Sequence, residues 1–375
     1  MIKMAKQKPA MSVIIIGIFV ACSSVSWALD QWVRVVDPQM QSLTILSLAY
    51  TAQHPTYPQG IFLAGTLDHG LWRSTDGDHW TQSGLTTDSI SAIAIAPDGT
   101  IYAGTGDGTR NPFPPYRSVT AALYRSSDAA SWEAINNGLT HPLNPAEKLY
   151  NTHFLAVNSQ GVVFVSLDGY VFRSADRGAS WTILSLAWGL TFSAIWIDTE
   201  NHIILGDNYG MVAQARLLRV SPDGATILNS FELPAWDRPM TFGLNQNTGS
   251  LFVGLVPTIN HSRSIYRSAD LGQSWTFSAQ VGEGVLTDNP PGYWYPVVSG
   301  IASRPQGDLF IAASAGVLRS IDDGATWENA NRGLGAVTCR ALIATADGTL
   351  YAGTASGVFR STYLVPVGLC EFRVE

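Results

Sequence analysis

The chain has 375 residues, of which 46% are hydrophobic and 35 are glycine. This composition suits a folded protein that can bury a core, and it matches neither the disordered nor the collagen-like classes. The formal net charge is −7 and no basic run follows Lys8, which argues against nucleic acid as the main partner.

The N-terminal segment has the pattern of an export signal. Three lysines within the first eight residues precede an apolar run at 11–21, which is too short to span a membrane. The sequence therefore predicts a signal peptide over residues 1–28 and one mature domain over residues 29–375. The mature protein is expected to be periplasmic or secreted.

Two ways of processing the signal peptide fit the residues at its end. Ser26-Trp27-Ala28 is a small-x-small site, which predicts simple cleavage before Leu29. Residues 19–22 also resemble a lipoprotein box, in which Cys22 would be lipidated and would anchor the protein to the outer membrane. Both alternatives predict export, and only the second brings the protein to a membrane.

A short phrase returns seven times after the signal peptide. Its full form is Ser-x-Asp-x-Gly-x-x-Trp, as at 174–181; two copies are one residue shorter, one has lost its Trp, and the last stops before the Asp. A repeat period of about 40–50 residues is typical of a four-stranded propeller blade. The serines that open the copies stand 41–52 residues apart: Ser74, Ser126, Ser174, Ser221, Ser268, Ser320 and Ser361.

The second repeat illustrates how one blade is predicted to be built. Residues 90–96 alternate with period two, 97–99 form a Pro-Asp-Gly turn, and 100–105 and 122–126 are two further strands. The fourth strand follows at 132–135. Because no helical period is found beyond the first thirty residues, the sequence predicts an all-β fold, a single seven-bladed β-propeller with four-stranded blades.

The seventh repeat lacks its fourth strand. It ends with the strand at 357–361, so an exposed sheet edge would remain unless another segment covered it. The segment 31–36 at the mature N-terminus contains Trp32 and resembles the missing strand. The sequence therefore predicts that the N-terminal strand completes the last blade and closes the ring.

The repeated phrase resembles the Asp-box, or bacterial neuraminidase repeat, of sialidases, xyloglucan-cleaving glycosidases, sortilin-type receptors and photosystem II assembly-factor-like proteins. The resemblance covers nearly the whole mature chain and is specific for fold but nearly silent on function. In those families the box is a turn between the outer two strands of a blade. The resemblance therefore implies a structural role, not a catalytic one, for Asp76, Asp128, Asp176, Asp223, Asp270 and Asp322.

Two cysteines remain in the mature chain, Cys339 and Cys370. Export favours a disulfide between them, which would close a loop of about 30 residues and contribute roughly 3–4 kcal/mol in the chain-entropy account. The alternative is one buried and one free thiol.

Functional residues are expected in the loops that link second to third strands and blade to blade. In a propeller these loops share one face, which we call the decorated face, and insertions in repeat arrays usually map to the binding face. The loops that are longer than those of the other repeats lie in blades two to five. They are rich in aromatic and Arg residues, which suit ligand contact. The alternative is that these loops pack their own aromatics onto the blades. The candidate ligand-binding residues are Arg110, Tyr116, Arg117, Tyr209, Arg216, Trp236, Arg238, Arg263, Tyr293, Trp294 and Tyr295.

The same face offers Asp107, Asp237 and Glu283 as candidate catalytic carboxylates. A glycoside hydrolase would need two carboxylates about 5 or 6.5–9.5 Å apart, and a sialidase-like site would add three Arg and a Tyr. The Arg-Ile-Pro phrase of many sialidases is absent, and xyloglucan-cleaving relatives use two propellers. We therefore favour a non-catalytic scaffold that binds an exported protein segment or a carbohydrate, with a glycoside hydrolase as the alternative.

No metal or cofactor is predicted from the motifs. The seven His form no His-x-x-x-His pattern or His/Cys cluster, and neither a phosphate-binding loop nor a nucleophile elbow occurs.

Overall fold

The computed structural model describes most of the mature chain. Within this part, no helix is long and apolar enough to cross a membrane. The predicted signal peptide 1–28, with Cys22, lies outside it, and so does Cys370. The described residues are 31–106, 122–149, 151–184, 186, 192–207, 215–233, 237–257, 263–281, 298–313, 316–335 and 337–362.

Seven four-stranded antiparallel sheets account for nearly all of the secondary structure. Blade one consists of β2 (Ile45–Thr51), β3 (Ile61–Thr66), β4 (Leu71–Ser74) and β5 (Thr81–Gly84). Blade two consists of β6 (Ile90–Ile95), β7 (Ile101–Thr105), β8 (Leu123–Ser126) and β9 (Glu133–Ala134). Blade three consists of β12 (Thr152–Val157), β13 (Val163–Leu167), β14 (Tyr170–Ser174) and β15 (Thr182–Ile183). Blade four consists of β16 (Phe192–Ile197), β17 (Ile203–Asp207), β18 (Arg216–Val220) and β19 (Ile227–Glu232). Blade five consists of β20 (Asp237–Leu244), β21 (Leu251–Pro257), β22 (Arg263–Ser268) and β23 (Thr276–Val281). Blade six consists of β24 (Val298–Ser303), β25 (Leu309–Ala313), β26 (Gly316–Ser320) and β27 (Glu328–Asn329). Blade seven consists of β28 (Cys339–Ala344), β29 (Leu350–Thr354), β30 (Gly357–Thr362) and β1 (Gln31–Arg34).

Among the described residues, two small elements lie outside the blades. A single 3-10 turn, Met40–Ser42, precedes blade one, and a hairpin of β10 (Thr140–His141) and β11 (Asn144–Lys148) links blades two and three. The first strand of each sheet contacts the first strand of the next, and β28 contacts β2. The predicted all-β, seven-bladed propeller is confirmed.

The predicted closure of the ring by the N-terminal strand is also confirmed. Strand β1 pairs antiparallel with β30, with Gln31 opposite Thr362 and Trp32 opposite Ser361. Trp32 is 1% exposed, and its Nε1 donates a 2.7 Å hydrogen bond to the carbonyl of Ala330 in blade six. Burial of the indole together with a satisfied N–H makes this contact a strong anchor for the N-terminal strand.

The same bond recurs between other neighbouring blades. Trp132 Nε1 donates to the Ser83 carbonyl at 2.7 Å, and Trp181 Nε1 donates to the Ile135 carbonyl at 2.7 Å. In each case the acceptor lies three residues after the tryptophan position of the preceding blade. Trp32 therefore occupies in blade seven the place that the repeat tryptophan has in blades two and three.

The fourth repeat departs from the alignment made on the sequence. Val220 lies opposite Ile203 and Arg219 opposite Ile204, just as Ser174 and its preceding Arg pair with β13 in blade three. The ladder therefore places Val220, not Ser221, at the serine position. The turn of blade four begins one residue later, because Ser221 Oγ bonds Asp223 Oδ1 and accepts the N–H of Thr226.

The core lies between the blades rather than at the centre of the ring. One cluster, for example, joins the buried Trp32, Phe310 and Leu342 of blades seven and six. Glycines on the second strands permit close packing: a Cβ on Gly104 would lie 2.3 Å from the Thr152 side chain of the next blade. This packing sets the innermost strands close to their neighbours around the ring.

Loss of the Trp32 hydrogen bond is predicted to destabilise the domain. Trp32→Phe keeps an aromatic ring but leaves the buried Ala330 carbonyl without its donor, so the free energy of unfolding should fall by about 1–3 kcal/mol. Val33→Ala on the same strand, where the side chain is 41% exposed, should change it by no more than about 0.5 kcal/mol. Urea unfolding of both variants measures the difference; equal effects would contradict the anchoring role.

Candidate functional site

The loops expected on the decorated face do lie together. Gly70, between the second and third strands of blade one, donates its N–H to the carbonyl of Asp88, which precedes blade two, at 2.9 Å. Blade three repeats the contact: the N–H of Asp168 donates to the carbonyl of Asn151 at 3.1 Å. Second-to-third-strand loops and blade-to-blade connections therefore share one face of the ring.

The box turns lie on the opposite face, which we call the box face. They contact the turns that link first and second strands: Thr56 Oγ1 donates to the Ser127 carbonyl, and Arg177 of one box pairs with Asp98 at 2.9 Å. The box carboxylates are thus separated from the decorated face by the length of the strands.

Within a box, the Asp side chain is fully occupied by its own turn. Asp176 Oδ1 accepts hydrogen bonds from Ser174 Oγ (2.7 Å) and Ser180 N (2.9 Å), and Oδ2 accepts from Ser180 Oγ (2.5 Å). These bonds, that of the Ser180 hydroxyl above all, lower the pKa of Asp176 to about 2. A carboxylate so held is a poor acid or base near neutral pH, since it stays ionised.

Several arginines of the repeat reach from one blade to the box of the next, whereas Arg319 of blade six pairs with Asp308 of its own blade. Arg73 Nη1 donates to the Asp128 carbonyl at 3.2 Å, Arg267 pairs with Asp323 at 2.5 Å, and Arg360 pairs with Asp78 at 2.9 Å. These side chains lie on the box face and bridge neighbouring blades.

A cavity of about 450 Å³ occupies the centre of the ring. All seven innermost strands line it, with apolar side chains such as Leu48, Ile93 and Leu155 and the polar side chains of Ser, Thr, His and Arg. Two of its lining side chains are ionisable, His153 and Arg340, and no Asp or Glu is among the lining residues that the structure describes. The described lining therefore contains one permanently charged side chain, Arg340, together with one imidazole.

His153 and Arg340 occupy equivalent positions in their blades. Every innermost strand carries a β-bulge in its first half, where the ladder with the second strand skips one residue. Bulges re-aim side chains and often lie next to functional sites. We call the seven residues that the ladder skips the bulge ring: Leu46, Ser91, His153, Ser193, Met240, Ser299 and Arg340.

The three serines of the bulge ring bind the blade that follows. Ser91 Oγ donates to the Thr152 carbonyl at 2.6 Å, and Ser299 Oγ donates to the Cys339 carbonyl at 2.7 Å. Each acceptor directly precedes a large bulge residue, His153 or Arg340. The third serine, Ser193, donates to Pro239 ahead of Met240. Serine and large side chains therefore alternate from Ser91 to Arg340, and each serine fixes the backbone that presents the next large side chain.

The structure describes two of the predicted ligand-binding side chains on the decorated face. Arg216 pairs with the fully buried Asp207 at 2.8 Å, so its charge is balanced within blade four. Arg238 is partly buried, and burial lowers its pKa.

The other predicted site residues are not described to that depth. Arg263 and Asp237 begin strands β22 and β20, and only their backbone is described. The remaining candidates lie outside the described residues: Asp107, Arg110, Tyr116, Arg117, Tyr209, Trp236, Glu283, Tyr293, Trp294 and Tyr295. Their predicted roles stay predictions.

Sequence reasoning did not single out His153 or Arg340. Neither belongs to the repeated phrase, and the bulge that exposes them to the cavity has no local sequence signature. A register-based alignment of the repeats would have helped, because Ser91, Ser193 and Ser299 recur at one position with large residues in the intervening blades.

A group of metal-type ligands lies in blade four, but an arginine occupies its centre. Asp198, Glu200 and His202 come together there. Arg219 Nη2 lies 3.0 Å from Asp198 Oδ2, 3.3 Å from Glu200 Oε2 and 2.8 Å from His202 Nδ1. The guanidinium supplies the positive charge that a cation would bring, so we do not assign a metal centre.

Cys339 is a free thiol in the structure and is 1% exposed. Burial raises its pKa to about 12, which makes it unreactive as a nucleophile. Its predicted bond partner, Cys370, lies outside the described residues, so the disulfide stays a prediction.

Comparison with known proteins identifies the fold. No protein-family model and no curated protein matches the chain in sequence. Similar solved structures include the extracellular domain of BT4673 from B. thetaiotaomicron (TM-score 0.61, 12% identity, 89% of this chain and 40% of that one) and "YCF48 bound to D1 peptide" (0.61, 13%, 91% and 98%). A streptogramin B lyase is also similar (0.61, 10%, 90% and 99%).

These neighbours are seven-bladed β-propellers. The chain spans about 40% of the length of the BT4673 domain. At 10–13% identity the likeness shows the fold alone, and the site must be argued from the residues of this chain.

The box carboxylates are predicted to stabilise the fold in a pH-dependent way. The pKa of Asp176 is lower in the folded state (about 2) than its ordinary value of 3.8, so its contribution is present above pH 4 and is lost as the pH falls towards 2. Asp176→Asn should therefore lower stability at pH 7 and flatten the acid-induced loss between pH 4 and 2. Unfolding free energies across this range test it, with Glu232→Gln, outside any box, as the control; identical pH profiles for wild type and Asp176→Asn would contradict it.

Proposed function

We propose that this chain is an exported Asp-box propeller that binds a protein segment or a glycan on its decorated face, without catalysing a reaction. One observation carries the proposal: the central cavity is lined by His153 and Arg340 and, among described residues, by no carboxylate. A binding site needs complementary polar groups, whereas a glycosidase needs a pair of carboxyl groups.

The charge states of the described carboxyl groups support a binding role. Where the pKa of a described carboxyl group is shifted, the shift is downward. Most of these groups lie in box turns, as Asp128 and Asp176 do. A catalytic acid at neutral pH would need a raised pKa.

A protein segment is the preferred partner of the two. One neighbour of the same fold and similar length was solved bound to a peptide, which supports peptide binding as a use of this fold. Export is supported by the signal-peptide pattern over residues 1–28, and several structural neighbours are extracellular domains. Anchoring through a lipidated Cys22 remains the alternative to simple cleavage.

Catalysis is the second candidate. A lyase among the structural neighbours supports enzymatic use of the fold, and the sequence predicts Asp107, Asp237 and Glu283 on the decorated face. In this alternative two of these carboxylates would act on a glycan bound by the loop arginines.

The mature protein from Leu29 onward should bind members of a peptide or glycan array without altering them. Product analysis of every hit by mass spectrometry separates the two candidates. Turnover that is abolished by Asp107→Ala, Asp237→Ala or Glu283→Ala, and retained in Glu328→Ala on the box face, would replace binding by catalysis as the function.

The aromatic loop before blade six is predicted to contribute directly to binding. Replacing Tyr293, Trp294 and Tyr295 together by Ala should weaken the affinity for an array hit by tenfold or more, since one buried aromatic anchor is worth about 1–2 kcal/mol or more. The matched control is Phe277→Ala, which removes a 57% exposed aromatic from β23. Equal losses of affinity in both variants would contradict a specific role for the loop.

A further inference from the structure

We infer that a cavity on the box face, between blades four and five, takes one large apolar side chain of a protein segment that carries basic residues beside it. This surface is separate from the decorated face, so the inference goes beyond the proposed function. It is carried by the way this seam is closed, by the lining of the cavity and by the charge at its rim.

The seam between blades four and five has no arginine bridge of the kind found at other seams. Arg267 of blade five reaches the residue that follows the Asp of the next box, pairing with Asp323 at 2.5 Å. Its counterpart in blade four, Arg219, turns to Asp198 of its own blade at 3.0 Å. The corresponding residue of the next box is Leu271, whose side chain carries no polar atom. At this point the seam therefore has an apolar side chain in place of an ion pair.

The repeat tryptophan at this seam also departs from the others. Trp275 is 5% exposed, and its Nε1 is buried without a hydrogen-bond partner among the described residues. The other repeat tryptophans each donate this hydrogen to a carbonyl: Trp32, Trp80, Trp132, Trp181 and Trp327. The contact of blade five with blade four therefore depends more on packing than the contacts at the regular seams do.

A cavity of about 160 Å³ lies at this seam, and we call it the seam cavity. Leu251 at its wall is fully buried, whereas Trp196 and Leu271 are partly exposed, so the cavity has a closed end and an open one. An apolar cavity of about 150 Å³ in another protein binds benzene, so this volume suits one large apolar side chain. The lining residues are Trp196, Ile197, Asp198, Thr199, Leu244, Leu251 and Leu271.

The box turn fixes the place of Leu271 at the cavity wall. Its φ is 57°, in the left-handed region that residues other than glycine seldom adopt. The residues at the same step of other boxes share this conformation, with φ of 58° at Arg177 and 55° at Asp323, and both form ion pairs with a neighbouring blade. The turn thus sets the backbone, and the identity of the side chain decides between an ion pair and an apolar cavity wall.

The rim of the seam cavity is acidic. Arg219 Nη2 lies 3.0 Å from Asp198 Oδ2 and 3.3 Å from Glu200 Oε2, so one guanidinium is shared by two carboxylates. Asp270, directly before Leu271, adds a third carboxylate. The side chain of Glu200 is 61% exposed and follows the lining residues along the chain. Lys or Arg beside the inserted apolar side chain would therefore be attracted to this rim.

A protein segment fits these features better than a second copy of the chain. The net charge of −7 makes another copy a poor match for an acidic rim. The cavity has room for one side chain and is open at the surface, so the remainder of the ligand stays outside it. An apolar anchor in a pocket, with charged neighbours at the rim, is the usual arrangement of a peptide-binding hot spot.

The test uses three tripeptides, each N-acetylated and C-terminally amidated, with the sequences Lys-Phe-Lys, Glu-Phe-Glu and Lys-Ala-Lys. In an NMR titration of the full mature protein, the methyl resonances of Leu271 report binding at the seam cavity. Lys-Phe-Lys should bind most tightly. The affinity should fall by about tenfold or more when Phe is replaced by Ala, and by several-fold when the charges are reversed.

A change of the cavity wall should abolish binding of Lys-Phe-Lys. Leu271→Arg introduces the residue that the same turn carries in blade three, and the new side chain occupies the cavity and brings a positive charge to the rim. Because the variant lacks the Leu271 methyl groups, the indole resonance of Trp196 reports binding there. Leu143→Arg, at a leucine that is 67% exposed in the hairpin between blades two and three, is the control and should bind normally.

A change of rim charge keeps the test independent of the cavity wall and of folding. Glu200→Gln should reduce the preference for Lys-Phe-Lys over Glu-Phe-Glu and retain the preference for Phe over Ala. Glu328→Gln is the matched control, because Glu328 is 52% exposed and pairs with a repeat arginine, Arg319, at 3.4 Å. It should change neither preference. Thermal unfolding of each variant reports the fold.

Three outcomes overturn the inference: equal binding of the three tripeptides by the wild type, undiminished binding by a folded Leu271→Arg variant, or equal losses in the control variants. A dimer in analytical ultracentrifugation that Leu271→Arg abolishes would also overturn it, since a second copy would then be the occupant. Binding of array hits on the decorated face tests the proposed function separately, and the outcomes at the seam cavity leave it intact.

Discussion

Pairing of the N-terminal strand β1 with β30 is the constraint on which the rest of this structure depends. A propeller distributes its core between blades, so every sheet needs a neighbour on both faces. The chain achieves this by giving the last blade its outer strand from the opposite terminus, anchored by Trp32 to blade six. The first and the last of the described strands are thereby held in one sheet, and opening at this point would expose both an edge and an interior face.

The box face shows how the same ring is stabilised by polar groups. Ser and Asp side chains form hydrogen bonds within the box turns, and in several blades the Arg that precedes the box links to the next blade. Blade four departs from this pattern: Val220 stands at the serine position and the repeat Trp is missing. Its Arg219 turns to Asp198 within its own blade, as Arg319 turns to Asp308 in blade six.

The centre of the ring is built by a different rule. Each innermost strand contacts the innermost strand of the following blade, and all seven carry a bulge at the same step of the ladder. Three of the bulge residues are serines that close onto the next blade, and His153, Met240 and Arg340 follow them in alternation. The bulges thus produce a ring of equivalent positions at which the side chains differ while the strand pairing of the blades is the same. Variation at such positions is how one fold can acquire different sites.

The sequence by itself determined the architecture, because blade period, turn residues and the placement of Trp32 are local features that recur along the chain. It also assigned the box aspartates to turns, since Ser, Asp and Gly at short spacing form the turn with their own backbone. The sequence placed the opening serine of the fourth repeat at Ser221, because Ser221-Pro222-Asp223 resembles a box. The strand pairing puts Val220, one residue earlier, at the position that the serine has in the other repeats. Only the tertiary structure decided that His153 and Arg340 face one cavity. They are 187 positions apart in the sequence, and a bulge, which depends on the partner strand and the neighbouring blade, is what brings both to the same level of the channel.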